Sequence, residues 1–308
     1  IGGLTTWIAT NGYVMVSRAA NWMSPFIVLA FLACGVVAAI RLEIQSFSDF
    51  IAVWGKGSEP FPGQIKYTFW HVFLWSWFCN AAMHIGMSDL SVFRYAMSAE
   101  SGWTTAAGMY VGHYMAWIAA CLLYAVYIKS PEAAAILAEG TAPPVAPGPL
   151  AYNAIGWFGI IAVILAGWTT ANPTIYRSGL AFQAILPKWS ISKATLLAGS
   201  VATIAGIFPA FAMKLLDFVA VYGFILAPVG AVVVFEYYFA DRFGVVKNYA
   251  EKSNIAFNKS AFFAWLTSFL IFFGWSKTQG VFLSFLTLPA WLCCGILFII
   301  FSKIYHGK

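Results

Sequence analysis

The sequence predicts an all-α polytopic membrane protein. Three observations carry that prediction. Charged residues make up 9% of the 308, the hydrophobic set makes up 61%, and long apolar runs recur along the whole chain. A soluble domain carries about 25% charged residues, so an ordinary water-soluble globule is excluded. Disorder is excluded as well, because it requires low hydrophobicity. The net charge of +6 is spread out. No basic run of the kind a nucleic-acid arm shows is present, nor any Gly-rich phosphate loop, so the expected partners are the lipid bilayer and a small solute, not nucleic acid.

The apolar segments follow in order. Thr5–Val16 is a partial span, so the chain reads as opening in mid-helix, as an N-terminally truncated protein would. Eight full spans of about 20 residues are expected after it: Pro25–Ile40, Tyr67–Ser88, Thr104–Ile128, Leu150–Thr170, Leu196–Met213, Phe218–Tyr238, Ala261–Trp275 and Val281–Ser302. The loop Arg41–Lys66 mixes acids and bases, Ser130–Pro149 is rich in Ala and Pro, and Arg242–Lys259 is basic. Pro209, Pro228 and Pro289 read as structural kinks. With the spans alternating, eleven of the 17 Lys and Arg fall on one side, among them Arg18, Arg94, Arg177, Arg242, Lys303 and Lys308. The positive-inside rule then makes that side, and the C-terminus, cytoplasmic. A multi-pass protein of the cell (inner or plasma) membrane, acting as a monomer, is expected.

Cys34, Cys79, Cys121, Cys293 and Cys294 all lie in apolar segments without metal-knuckle spacing, so neither a disulfide framework nor a metal centre is expected. Two spans stand out. ILAGWTTANPTIYRSG (Ile164–Gly179) places Thr169, Thr170, Asn172 and Pro173 at membrane depth. Buried hydroxyls need partners, and a proline frees the carbonyl four residues before it. Oxygens of this kind suit a hard, desolvated cation, and the stretch points to an ion-coupled transporter. The competing reading is that both hydroxyls bond back to carbonyls of their own helix. Tyr67–Ser88 is dense in aromatics and then turns to Asn80, small residues and His84, four apart and on one helix face. These two either contact a polar solute, bond each other, or are satisfied by an interhelical hydrogen bond. Such polar-bearing spans point to the site of a secondary transporter. The aromatic run Phe69–Phe78, with His71, and also His113 read more simply as packing. Asp89 with Arg94 suggests an interfacial salt bridge, and Glu236 a carboxylate at a helix end. No convergent set of carboxylates and histidines supports an enzyme or a sensor, and none is expected.

At WTTANPTIYRSGLAFQ (Trp168–Gln183) the chain resembles the nucleobase:cation symporter-1 family, which includes cytosine, uracil, allantoin and hydantoin permeases. The resemblance continues through Phe218–Tyr238, with Pro-x-Gly-Ala at Pro228–Ala231, and through GMSDLSVFRYA (Gly86–Ala96), which carries extra residues between the acid and the arginine. It implies a LeuT-type inverted-repeat fold within a single transmembrane domain, of which this chain covers the end of helix four to helix twelve. Residues 1–40 would be the remnant of the first repeat, 66–240 the second repeat, and 259–303 the last two helices. It also implies sodium as the coupling ion, with Ala166, Thr169 and Thr170 as ligands from the eighth helix and further ligands from a first helix that has no counterpart here. The substrate would be a small N-heterocycle held by the sixth-helix break, with Cys79, Asn80, Ala82 and His84, and by Ala171 or Asn172. Asn80 stands where relatives place a stacking aromatic, and Ala171 replaces a polar residue. The expectation is a sodium-coupled importer of a nucleobase or related heterocycle, without a cofactor. The alternative is a proton-coupled symporter of another polar solute.

Overall fold

The computed structural model describes residues 1–55, 59–79, 93–208 and 215–306, and among them every regular element is helical. In chain order the helices are α1 (Gly2–Thr10), α2 (Tyr13–Arg41), α3 (Phe47–Val53), α4 (Phe69–Trp77), α5 (Ser101–Tyr127), α6 (Pro131–Ala138), α7 (Pro147–Ile155), α8 (Trp157–Ile185), α9 (Ile191–Ala205), α10 (Leu215–Phe239), α11 (Tyr249–Lys252), α12 (Lys259–Gln279) and α13 (Leu283–His306). Tyr13–Arg41, Ser101–Tyr127, Trp157–Ile185, Ala220–Phe239 and Leu283–His306 are each long and apolar enough to cross a membrane. The protein belongs to the multi-pass helical membrane class.

The chain forms two compact units. One comprises Ile1–Lys66 with Met97–Ile207, the other Tyr67–Ala96 with Phe208–Lys308.

In the first unit, two expected spans take a different form. The partial segment Thr5–Val16 is divided between α1 and α2, because Gly12 turns the chain at φ +85°, a conformation that glycine adopts without steric cost. α2 begins well before the expected start at Pro25 and holds that proline inside. Pro25 removes the bond to the carbonyl of Asn21, while Ser24 Oγ donates to Ala20 O at 2.7 Å in the same turn. The expected span Leu150–Thr170 is broken at Gly156 (φ +63°) into α7 and α8, and α8 then runs through Pro173 to Ile185. Outside the spans, Ser46 and Asp49 close a capping box on α3. The Ser46 hydroxyl and the Gln45 and Ser46 amides hold the Asp49 carboxyl below its ordinary range.

Packing in this unit relies on glycine. Gly2 faces Thr203, Gly199 faces Thr6, and Gly179 faces Thr195, which brings α1, α8 and α9 into close contact. Small residues allow such approach where lipid supplies no hydrophobic drive between helices. Gly159 likewise lies against the backbone of Ala151, closing the corner between α7 and α8.

The second unit is organised around α13. Of its apolar window 56% is buried, against 17–33% for the other four membrane-length helices. α4, α10 and α12 pack on it. Gly295 receives the ring of Phe235, Trp77 meets Trp291 at 5.5 Å between ring centroids, and Ser268 Oγ donates to Ala290 O at 2.6 Å. Trp265 Nε1 donates to Ile225 O at 2.8 Å, in the turn of α10 that Pro228 loosens. All five cysteines are unpaired thiols.

A Cβ at position 179 would overlap Thr195 Oγ1 and sit 2.8 Å from Thr195 Cα, so backbone would have to move. Gly179→Ala is expected to cost about 1–3 kcal/mol, read as a fall in the thermal midpoint in detergent. Gly167→Ala, on the same helix with open space around it, is expected to stay within about 0.5 kcal/mol.

Candidate cation and substrate site

α8 carries five of the residues singled out from sequence, and its hydroxyls set the local geometry. Thr169 Oγ1 donates to Ala166 O at 2.9 Å and Thr170 Oγ1 donates to the same oxygen at 3.1 Å. Thr174 Oγ1 donates to Thr170 O at 2.8 Å and Ser178 Oγ to Thr174 O at 2.9 Å. The Arg177 side chain adds bonds to Pro173 O and Thr174 Oγ1. Pro173 lacks the N–H that would reach Thr169 O, and these side-chain bonds run through the turn it weakens. Pro173 thus lies inside a 29-residue helix without ending it, flanked by side-chain bonds on both sides.

Both threonine hydroxyls therefore bond back to their own helix, as the simpler reading of the sequence holds. The same bonds gather three oxygens on one turn: Ala166 O, Thr169 Oγ1 and Thr170 Oγ1. Carbonyl and hydroxyl oxygens are the ligands a hard cation takes. Three of them are half of the roughly six such cations usually require. Among the described residues no cluster of three His, Cys, Asp or Glu offers a transition-metal site.

Ala166, Thr170, Ala171 and Thr174 line a groove of about 630 Å³ within the first unit, bounded by α2, α5, α7 and α8. Its wall on α8 is a run of small or hydroxylated residues at helical spacing: Gly159, Ala162, Val163, Ala166, Gly167 and onward to Thr174. That stripe is visible in the sequence as a 3–4 repeat of small side chains, but a signal of small residues carries less weight than hydroxyls beside a proline. Phe31 and Cys34 of α2 and Leu123 of α5 complete the wall, and nothing in their local sequence marks them.

Asn172 lies elsewhere. It is 1% exposed, on the face of α8 that also buries Ile175, Tyr176 and Gly179, and it does not line the groove. Neither its amide oxygen nor its amide nitrogen has a hydrogen-bond partner, and Trp168 Nε1, one turn earlier, is also unpartnered. The structure thus separates Asn172 from Ala166, Thr170 and Ala171. Cys79 belongs to the second unit, half-buried beside Phe78, Ala220 and Ala227. Asn80, Ala82 and His84 lie outside the described residues, as does Asp89.

The remaining polar residues have structural partners. His71 Nδ1 accepts from Thr68 N at 3.1 Å in a capping box for α4, and its ring meets Phe285 at 4.8 Å. His113 stacks on Trp117. Arg94 donates to Tyr95 OH at 2.6 Å and lies over that ring. Glu236 Oε1 accepts from the Asn248 amide at 3.1 Å, tying the loop after α10 back to its helix.

Comparison with protein-family models, with curated proteins and with solved structures gave no match.

An amide without partners gives up no hydrogen bond when it is replaced by an apolar group of similar size. Asn172→Leu is expected to leave the thermal midpoint unchanged or raise it. A loss of more than about 1 kcal/mol, measured in the same detergent, would mean that the amide is engaged.

Proposed function

We propose that this chain is part of a cation-coupled secondary importer for a nucleobase or related small N-heterocycle, working by alternating access in the cell membrane with its C-terminus in the cytoplasm. The observation that carries the reading is the convergence of Ala166 O, Thr169 Oγ1 and Thr170 Oγ1 on one turn at the edge of a groove inside a multi-pass helical protein. The sequence resemblance at Trp168–Gln183 supports sodium as the ion and a heterocycle as the cargo.

In this scheme sodium replaces the two hydroxyl protons as the partner of the carbonyl. Each threonine turns its hydroxyl hydrogen away and offers a lone pair, and further oxygen ligands come from outside this stretch of sequence. Holding α8 against the element that supplies those ligands favours one of the two access states. Substrate bound in that state and sodium then strengthen each other reciprocally, since coupling between two sites is a shared free energy. The sequence resemblance assigns recognition of the heterocycle's polar edge to Cys79, Asn80, Ala82 and His84, together with Ala171 or Asn172.

The test is sodium-dependent uptake in proteoliposomes, screened over uracil, cytosine, hypoxanthine, allantoin and hydantoins with the transport-competent protein. Changing both Thr169 and Thr170 to valine keeps shape and removes two oxygens. The half-saturating sodium concentration is expected to rise at least about tenfold, a loss of about 1.4 kcal/mol. Uptake that keeps its sodium affinity in the double variant would sink the cation site.

A further inference from the structure

The apolar groove has a second cavity in line with it. That neighbour, of about 230 Å³, is lined by Arg41, Tyr127, Ser130, Glu132 and Asn153, and the two share the walls Leu123 and Leu150. Ala30 and Cys34 of α2 line the groove, and Val37, Ala38 and Arg41 continue the same helical stripe into the polar cavity. The polar cavity lies where α2 ends at Arg41 and α5 ends at Tyr127, the level at which a spanning helix meets the membrane–water boundary. The two cavities therefore adjoin, the smaller one carrying the charged groups at the boundary and the larger one forming an apolar trough. Along α8 the trough extends from Gly159 to Thr174, about 22 Å at 1.5 Å per residue, which exceeds the roughly 15 Å depth of one leaflet's hydrocarbon.

The smaller cavity holds both signs of charge without pairing them. Arg41 and Glu132 line the same cavity but form no ion pair with each other, the described ion pairs being Lys66–Glu59 and Lys247–Asp241. Neither side chain has a hydrogen bond among the described residues. A cation and an anion that line one small cavity without pairing are complementary to a ligand that carries both an anion and a cation. A guanidinium takes a phosphate through two parallel N–H bonds. A carboxylate takes a primary ammonium with its three donors. Tyr127, Ser130 and Asn153 line the same cavity and bring neutral hydrogen-bonding groups to it.

We propose that the Arg41–Glu132 cavity and the groove adjoining it across Leu123 and Leu150 form one binding site for a zwitterionic phospholipid of the phosphatidylethanolamine type, phosphate on Arg41, ammonium on Glu132 and one acyl chain in the groove. Phosphatidylglycerol lacks the ammonium and sets its anionic head against Glu132. Phosphatidylcholine carries the charge but no N–H to donate. The tail accounts for a groove whose walls are almost wholly apolar. The acyl chain would lie along Ala166 and Thr170, which the sodium reading also uses, but the head-group contacts at Arg41 and Glu132 share no residue with it, so the two charge variants test the lipid site apart from the sodium reading.

The test uses the whole chain, reconstituted in vesicles of equal parts phosphatidylethanolamine, phosphatidylglycerol and phosphatidylcholine. The chain is then extracted in mild detergent and examined by native mass spectrometry. One phosphatidylethanolamine per chain is expected to stay bound in preference to the other two. Arg41→Gln is expected to lower its retention about tenfold, the value of a hydrogen bond to a charged group, and Glu132→Gln to erase the preference over phosphatidylcholine. Both residues are exposed, so these variants keep the fold. Ala162→Phe fills the trough and is expected to reduce retention of all three lipids, with helicity by circular dichroism as its control. Equal adducts of the three lipids, or adducts unchanged by both charge variants, overturn the proposal. Displacement of the lipid by free phosphoethanolamine at matching concentration overturns the acyl-chain part.

Discussion

In hydrocarbon no water stands ready to take a hydrogen bond, so each hydroxyl and each carbonyl released by a proline must be answered from within the protein. This protein answers with short side-chain bonds along its own helices. Thr5 and Thr6 donate to Ile1 O and Gly2 O in α1, Ser24 to Ala20 O in α2, Thr287 to Leu283 O in α13, and Thr169, Thr170, Thr174 and Ser178 form an unbroken series in α8. The series passes through the one turn of α8 where Pro173 removes a backbone bond. The helix runs on through the gap in its ladder, with side-chain bonds on the turns either side of it.

With many hydroxyls bonded inside their own helices, packing between helices depends largely on shape. The two units reach that fit by different means. In the first, threonines press onto glycines, which brings backbones together and leaves the groove side of α8 lined with small groups. In the second, rings interlock around α13: Trp77, Phe235 and Trp291 on one level, Phe224 with Phe269 on another. Small-on-small contact is thin and exact in position, whereas ring packing buries more surface per residue. The contrast places the cation-ligand candidates in the unit where a lost methyl group or an added one shifts a helix axis.

Helix class was legible from composition, and most helix positions from apolar run length. The boundaries that differed did so for local reasons. A proline in an apolar run stops a helix or rides inside it depending on the side-chain bonds beside it, so Pro25 and Pro173 are ambiguous by pattern and resolved only by Ser24 and by the α8 threonines. Gly156 lay inside a smooth apolar stretch, and its positive φ has no hydropathy signature. At the site, Thr169 and Thr170 stood out as adjacent hydroxyls beside Ala-Asn-Pro at membrane depth, whereas Ala166 entered only through the family resemblance. The direction in which Asn172 faces was not legible, since it depends on helix phase against α1 and α9. The groove escaped notice because three of its four walls come from distant sequence.

The two units also interleave along the chain: first, second, first, second. α4 ends at Trp77, while α13, the helix it packs on, begins at Leu283. At about 5–20 residues per second of synthesis, the roughly 200 residues between them take some 10–40 s to make. During that interval α4 has been made without the helix it packs on, while the first unit's later helices are still arriving. The order of biogenesis is therefore fixed by topology: the first unit closes when α9 emerges, and the second, though it starts before that, finishes last.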